Sequence, residues 1–356
     1  MKLALIGLPK CGKTTVFNAV VGPHKERQTP AHAAVQNIAM VKVPDERLDF
    51  LHSLFPEKRC TPASIELLEL VGIFPSPLEV HAESATALAL LREMDLIVEV
   101  IRTFPDETTP HPKGSLDPCR DLGDMEQELL LNDLLSAEKR IDKLKKAIIK
   151  PTPTQQKDKE ELEVLLRCKE ALDKGQDVST LPLTAAQQKY IRGFCFFTEK
   201  PRLVVVNVGE GQISGEFKDL ATKAQVLAFC GKLESELLGL EDKERAEFQV
   251  AWGISEPAGP RLLKAFYKTL NLVSFYTMEG EEIRVWSIPR GETALTAAGK
   301  IHSDIARGFI KAEVMSLADL KTLGSLKEVK AHGKLHVVGK EHIVQDGDII
   351  TFRFHV

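Results

Sequence analysis

The sequence predicts an α/β protein: a mostly parallel sheet covered by helices on both faces, interrupted by a helical hairpin and followed by a small mixed α/β domain. Three observations carry this. Near-continuous apolar runs recur at Leu3–Ile6, Asn37–Val43, Ser64–Leu70, Asp95–Ile101, Arg202–Val208 and Gln225–Cys230, with helical patterns between several of them. Strands that are apolar throughout, rather than alternating, belong to parallel sheets buried on both sides. Between Leu122 and Lys200 this texture stops, and after Leu272 short strands punctuated by glycines take over.

The first element is the most specific. Leu3–Ile6 reads as a buried strand. It runs into Gly7-x-x-x-x-Gly12-Lys13-Thr14, after which Val16, Phe17, Ala19 and Val20 begin a helix. A strand before and a helix after are the setting that identifies a phosphate-binding P-loop. The glycines let backbone N–H groups turn inward around a phosphate, and the positive end of the helix adds to that field. In this setting Lys13 reaches the β- and γ-phosphates and Thr14 ligates Mg²⁺. The sheet is therefore expected to be that of a P-loop NTPase.

In the interruption, Leu130, Leu134, Ala137, Ile141, Leu144 and Ile148 recur at steps of four and three. This is a heptad seam, flanked by Glu138, Lys139, Arg140, Asp142, Lys143 and Lys145. Pro151-Thr-Pro-Thr154 stops the helix, and Leu162, Leu165, Leu166 and Leu172 start a second. The reading is an antiparallel coiled-coil hairpin at 122–198, inserted into a nucleotide domain made of 1–121 and 199–272. Two ordinary surface helices packed on the sheet are the alternative. Farther on, Ser274–Thr277 and Glu282–Ile288 flank a turn at Met278-Glu-Gly-Glu281, and Gly333, Gly339 and Gly347 punctuate short strands up to Ile349–Val356. A separate α+β domain at 273–356 fits ordinary domain sizes.

With 356 residues the chain is long enough for two or three cores. Its apolar content of 43% and charged content of 28% are those of a soluble globular protein. The net charge of −4 supplies no global field toward nucleic acid, so such a partner must meet a local patch. Six scattered cysteines without a paired CxxC spacing argue against a disulfide framework or zinc site and for a reducing cytoplasm. No apolar run approaches transmembrane length, and a first strand committed to the P-loop is not expected to be a cleaved signal peptide. The ten histidines show no HExxH spacing. His302 with Asp304 is expected to be structural rather than catalytic.

Several segments are distinctive together: Gly7-Leu-Pro-Lys-Cys-Gly-Lys-Thr-Thr15; Val41-Lys-Val-Pro-Asp45 with Arg47-Leu-Asp49; Glu128-Leu129 and Asp133-Leu134 with Glu138-Lys-Arg-Ile141; and Lys200-Pro201 with Val206-Asn-Val-Gly-Glu210. To these the C-terminal part adds Ala297-Ala-Gly-Lys-Ile-His-Ser-Asp304, Arg307-Gly-Phe-Ile-Lys-Ala-Glu-Val314, Asp346-Gly-Asp348 and Phe352-Arg-Phe354. Nearly end to end, they resemble the YchF/Obg-like ATPase branch of the translation-factor-related P-loop GTPases. The matching family features are GLPNVGKST, the strand after switch I, the start of the coiled-coil insertion, an NxxE base-recognition strand, and the AAGxIHTDFERGFIRAEV segment of a TGS domain. That domain is a ubiquitin-like β-grasp module.

The resemblance implies a G domain, a coiled-coil arm and a TGS domain that together contact the ribosome. It implies that Gly7, Leu8, Pro9, Lys10, Cys11, Gly12, Lys13, Thr14 and Thr15 surround the phosphates. Asn207, Val208 and Glu210 then meet the base, Thr14 and Glu69 serve Mg²⁺, and Lys13, Gly72 and Lys10 serve the reaction. It also implies that ATP is accepted as well as, or better than, GTP. The Asp of an ordinary NKxD accepts hydrogen bonds from the N1–H and exocyclic amine of guanine. Glu210 is a methylene longer and does not reach the same geometry, whereas Asn207 can still donate to N7, which both purines have.

The chain also departs from the family. Aligned back from Val41–Asp45, the switch I threonine falls on Ala33, in Thr29-Pro-Ala-His-Ala-Ala-Val-Gln-Asn37, and alanine has no ligand oxygen. Thr29 and His32 lie nearby but not at the matching position. The switch II tetrad is Glu69-Leu-Val-Gly72, followed by Ile73 where other GTPases carry a catalytic Gln. Gly72 can still offer its N–H to a γ-phosphate, and Glu69 can hold a Mg²⁺-bound water. The family's glycine-rich loop is absent, and Pro75 and Pro77 stiffen what remains. Lys10 replaces a P-loop Asn that in related GTPases helps hold a monovalent cation. Its ammonium is expected to take the cation's place, the alternative being that it points to solvent. Cys11 is expected to be a small apolar filler where the family has valine. A thiolate favoured by the helix N-terminus, acting as a redox brake, is the alternative.

Lys139, Arg140, Lys143, Lys145, Lys146 and Lys150, with Lys157 and Lys159, crowd the far end of the hairpin, and Lys321, Lys327, Lys330, Lys334 and Lys340 mark the last domain. Such runs are either solvated faces or contacts for rRNA. The combined reading is a cytoplasmic, Mg²⁺-dependent ATP- or GTP-binding protein with slow or partner-stimulated hydrolysis, associated with the ribosome. The second reading is a pseudo-GTPase whose bound nucleotide is structural and whose arm and TGS domain hold a partner.

Overall fold

The structure, a computed structural model, describes residues 1–22, 27–28, 33–74, 82–106, 108–149, 151–212, 215, 217–220, 224–252 and 256–355. Thr29, His32, Pro75, Pro77 and Lys150 lie outside the described residues. In chain order the strands are β1 (Lys2–Ile6), β2 (Arg27–Gln28), β3 (Val35–Lys42), β4 (Arg59–Thr61), β5 (Ser64–Leu70), β6 (Leu96–Arg102), β7 (Arg202–Asn207), β8 (Gln225–Phe229), β9 (Leu272–Thr277), β10 (Glu282–Pro289), β11 (Phe309–Ser316), β12 (His336–Val338) and β13 (Asp348–Phe354). The helices are α1 (Lys13–Val21), α2 (Glu46–Leu54), α3 (Ala82–Arg92), α4 (Pro118–Ala147), α5 (Gln155–Asp173), α6 (Ala185–Ile191), α7 (Gly231–Gly239), α8 (Asp242–Ala251), α9 (Ala258–Thr269), α10 (Ala294–Ile301), α11 (Ser303–Arg307), α12 (Leu317–Leu323) and α13 (Leu326–Ala331). Among the described residues no helix is long and apolar enough to cross a membrane.

The chain forms two compact units, Met1–Ala39 with Glu66–Leu262, and Met40–Ile65 with Leu263–Val356. In the first, seven strands are ordered β2-β3-β5-β1-β6-β7-β8. β1 pairs in parallel with β5 and β6, and β7 in parallel with β6 and β8. Every residue of β6 and β7 is buried, the physical counterpart of their unbroken apolar runs. Because these strands run in parallel, their carboxyl ends lie along one edge of the sheet. Loops leaving that edge are where open α/β sheets bind ligands.

The hairpin is α4 and α5. Asp117 caps α4 by accepting from the Arg120 N–H, and Pro118 occupies the first turn, where its missing N–H costs nothing. Ala137, Ile141 and Leu144 of α4 pack with Val164, Leu165, Cys168 and Leu172 of α5 in a core of their own. Leu166, read from the sequence as part of that seam, is instead 43% exposed, because α5 turns Val164 and Cys168 inward. Arg140, read among the basic residues of the tip, lies across the helix pair and clamps Glu161 through two bonds of 2.7 Å. At the hairpin's root the fully buried Asp133 accepts from Phe197 N, Thr198 N and Thr198 Oγ1 at 3.0, 2.8 and 2.9 Å. Burial drives its carboxyl above the ordinary range even against those donors.

In the second unit six strands are ordered β12-β11-β13-β9-β10-β4. The sequence reading kept the segment before β5 with the nucleotide domain. The structure gives residues 40–65 to this unit because β4 pairs in parallel with β10, and Leu48 and Leu51 of α2 join Tyr276, Ile283 and Ile349 in its core. His302 is a helix cap, accepting from the Asp304 N–H through Nδ1 at 3.2 Å.

Asp45 and Arg47 fasten that segment. The Arg47 guanidinium donates to Asp45 at 2.9 and 3.0 Å and to Asp346 at 2.9 Å, while the Tyr276 hydroxyl donates to Asp45 at 2.6 Å. Burial alone would raise the Asp45 carboxyl, but the bonds from Arg47 and Tyr276 outweigh it and hold it below the ordinary range. Since the folded value lies below the unfolded one, this contribution is complete above about pH 4 and is lost as pH falls through the folded value. Asp45→Asn is expected to destabilise the unit by about 2 kcal/mol at pH 7, with the difference from the parent shrinking below about pH 4. Urea unfolding at both pH values checks this, followed by Trp286 fluorescence in a Trp252→Phe background.

Candidate nucleotide site

The loop between β1 and α1 sits at the centre of the carboxyl edge of the first sheet. Its backbone takes left-handed values at Gly12 (φ 103°) and Lys10 (φ 62°). Gly12 has a second constraint: a Cβ there would stand 2.1 Å from Asn207 Nδ2. A Cβ on Gly7 would stand 2.5 Å from Val100 O and 2.7 Å from Cys11 Sγ. Both glycines are required by close approach as well as by dihedral.

Asn207, at the end of β7, is 3% exposed. Its Nδ2 donates to Cys11 O at 3.1 Å, and its Oδ1 accepts from Gly231 N at 3.0 Å. One amide therefore joins the phosphate loop, the end of β7 and the start of α7. Lys13 is buried beside it and donates through Nζ to Gly7 O and Leu8 O, each at 3.0 Å.

Glu69, at the end of β5, is 1% exposed. Thr14 Oγ1 donates to its Oε1 and Asn37 Nδ2 to its Oε2, both at 2.6 Å. The extra methylene of Glu over Asp thus brings the carboxylate onto the Thr14 hydroxyl. A hydroxyl and a carboxylate side by side are the hard oxygen donors that suit Mg²⁺, which is held by few protein ligands when phosphates and waters complete its shell. Among the described residues no three His, Cys, Asp or Glu side chains gather as a protein cage for a metal.

These groups line one cavity of about 1040 Å³, with Gly7, Pro9, Lys10, Gly12, Lys13, Thr14, Thr15, Glu69, Gly72, Asn207, Val208 and Glu210 on its walls. Its size and its cradle of glycines fit a nucleoside triphosphate. Leu8 and Cys11 are not on those walls. They line a separate small void with His111 and Asp121, whose Nε2 and Oδ2 are 2.9 Å apart. Cys11 is 4% exposed, and burial raises its thiol despite the nearby Lys13 charge. Both observations favour the filler reading over the redox alternative, since burial opposes a thiolate more than the helix N-terminus favours one. Ala33 is an exposed turn residue just before β3.

Sequence reasoning missed several wall residues. Arg102, at the end of β6, donates to Phe104 O, Thr109 O and Asp106 O at 3.0, 2.8 and 3.4 Å and so shapes the loop that forms one side. Gly231, Lys232 and Ser235 line the same cavity as Glu210, whose Oε1 stands 2.6 Å from Lys232 Nζ. The available signal was positional, since a glycine and a lysine directly follow an apolar strand. Asn37 was noticed only as the start of a strand.

Gly12→Ala is expected to weaken nucleotide binding by at least about 100-fold with the fold retained, whereas Cys11→Val changes it by less than about twofold. Calorimetric titration with circular dichroism as the folding control checks both. Loss of binding after mild peroxide treatment of the parent would contradict the assignment of Cys11 as filler.

A family model named YchF-GTPase_C, described as a protein of unknown function (DUF933), matches residues 272–355. The ribosome-binding ATPase YchF of Bacillus subtilis is 34% identical over 99% of this chain and 98% of its own length. That of Escherichia coli O157:H7 is 33% identical over 100% of this chain and 99% of its own. The structure of the Schizosaccharomyces pombe YchF GTPase superposes with a TM-score of 0.83 at 26% identity, covering 99% of this chain and 97% of that one. With similarity running through both units and along the full length, the chain belongs to the YchF family.

Proposed function

We propose that this chain is a Mg²⁺-dependent purine-nucleotide-binding protein that hydrolyses ATP or GTP slowly, or when stimulated by a partner, and acts in association with the ribosome. The observation that carries the nucleotide reading is the single cavity whose walls hold the glycine loop, Lys13, the Thr14–Glu69 pair and Asn207. The ribosomal reading rests on the relatives named as ribosome-binding ATPases. Those names also favour turnover over a purely structural nucleotide. A cytoplasmic location follows from that partner and agrees with six free thiols.

In this reading Lys13 and the loop N–H groups neutralise the phosphates, and Thr14 with Glu69 holds Mg²⁺, which supplies charge neutralisation between the β- and γ-oxygens. Gly72 offers its N–H to the γ-phosphate. Ile73, 3% exposed, has no group with which to orient a water, which accounts for slow chemistry. Lys10 is a lysine in the left-handed region, which costs about 1 kcal/mol, and it stands on the cavity wall. In this reading its ammonium, on an exposed side chain, stands in for a monovalent cation during the reaction. The exposed Lys139, Lys143, Lys145 and Lys146 of the arm, and Lys327, Lys330 and Lys340 of the second unit, are the contacts for rRNA.

Phosphate release from ATP is expected at equal rates, within about twofold, in potassium and sodium salts. Lys10→Asn is expected to lower the rate about tenfold and to make it respond to potassium. Strong stimulation of the parent by potassium over sodium would sink the role of Lys10. Co-sedimentation with ribosomes is expected at low salt and should weaken steeply as salt rises. Sedimentation of the nucleotide-loaded chain away from ribosomes at every salt concentration would contradict the partner.

A further inference from the structure

Two stretches of the first unit are joined directly beside Thr14. One is the start of β3 with Ala33 and Ala34 before it, and the other is the end of β5 with Val71 after it. Val71 N donates to Ala34 O at 3.0 Å, and Asn37 Nδ2 donates to Glu69 Oε2 at 2.6 Å. Thr14 Oγ1 donates to the other oxygen, Oε1, also at 2.6 Å. A carboxylate only 1% exposed thus has a donor on each oxygen, one from α1 and one from β3. Gln36, next to Asn37 on the strand, stands on the cavity wall. Ala33, at the position of the switch I threonine, has no oxygen on its side chain to offer.

Resting on the Mg²⁺ reading above, we propose that Asn37 is a positioning residue for the metal. It acts through Glu69, and so supplies from the start of β3 the support that the segment around Ala33 no longer gives as a ligand. The bond from Thr14 fixes only one oxygen of Glu69. A Glu side chain has one more rotatable bond than the Asp of the family tetrad, so a carboxylate held at one oxygen still swings about that point. The second bond, from Asn37, removes the swing. Its donor is a neutral amide, which occupies an oxygen without bringing a positive charge to compete with a cation. The Thr14 hydroxyl, having given its proton to Glu69, keeps its lone pairs for a metal. Groups that orient a metal's ligands from outside its coordination shell change metal affinity by about 10- to 100-fold. Because Asn37 belongs to a strand of the sheet, this support does not need a γ-phosphate to order it.

The test is calorimetric titration of the full chain with ATP, once with Mg²⁺ and once with EDTA, read as the ratio of the two affinities. It compares the parent with Asn37→Leu, which keeps the amide's shape without its donor, and with Asn37→Ser, which keeps a shorter donor. Asn37 is half-buried and outside the hydrophobic core, so both variants are expected to fold, with thermal melting by circular dichroism as the check. The parent is expected to bind ATP more tightly with Mg²⁺. In Asn37→Leu the ratio is expected to fall about tenfold, and the Mg²⁺ concentration that gives half of the tightening to rise by a similar factor. Asn37→Ser is expected to lie between Asn37→Leu and the parent. General damage to the cavity would weaken binding under both conditions and leave the ratio unchanged. A ratio within about twofold of the parent's in either folded variant that lacks the amide overturns this inference and leaves the nucleotide and Mg²⁺ readings intact. A parent that binds ATP equally well with Mg²⁺ and with EDTA overturns the Mg²⁺ reading and this inference together.

Discussion

The side-chain amide of Asn207 is the interaction on which the rest of the site depends. It reaches Cys11 O across a sequence separation of 196 residues and Gly231 N across 24. Each bond is an ordinary neutral one, with a net worth of about 1 kcal/mol. What matters is their position. They fix the phosphate loop, the end of β7 and the start of α7 relative to one another before any ligand enters. The amide also fills the space that a Cβ at Gly12 would need, so the loop's glycine and the asparagine specify each other. Parallel strands make this possible, because they deliver β1, β5, β6, β7 and β8 to one edge with their carboxyl ends together.

Around that fixed point the site combines a complete cradle with a reduced switch. Glu69 is held by Thr14 and Asn37 and buried to 1% exposure, so the pair proposed to hold Mg²⁺ is fixed in place. At the γ-phosphate end, by contrast, Ala33 brings no oxygen and Ile73 is packed into the core. A switch needs a segment that γ-phosphate orders and hydrolysis releases. In the proposed reading this combination is what makes turnover slow. Partner stimulation, in that reading, means that a water-orienting group comes from outside the chain.

Much of this was legible in the sequence, for particular reasons. β1, β6 and β7 announced themselves because burial on both faces forces unbroken apolar runs. The phosphate loop was legible because its chemistry is local, within eight residues from Gly7 to Thr14. What stayed hidden depended on distant partners. β4 is a strand of three residues whose partner β10 lies more than 200 residues away, so nothing local assigns it to the second unit. Lys232 reads as an ordinary surface lysine until Glu210 is seen beside it. The redox alternative for Cys11 arose because the helix dipole is visible in the sequence and burial is not. In α5 Leu165 and Leu172 do join the seam while Leu166 does not, and Val164 and Cys168 turn inward with them, since the facing helix decides which side is buried.

The central claim is that the cavity is a nucleotide site already assembled in the free chain. Calorimetric titration of the unmodified chain with ATP and Mg²⁺, followed by phosphate release on the same sample, tests it most directly. The account predicts one nucleotide bound per chain, binding abolished in Lys13→Ala, and slow but measurable release of phosphate. Absence of binding at millimolar ATP and GTP, or binding indifferent to Lys13, would contradict it.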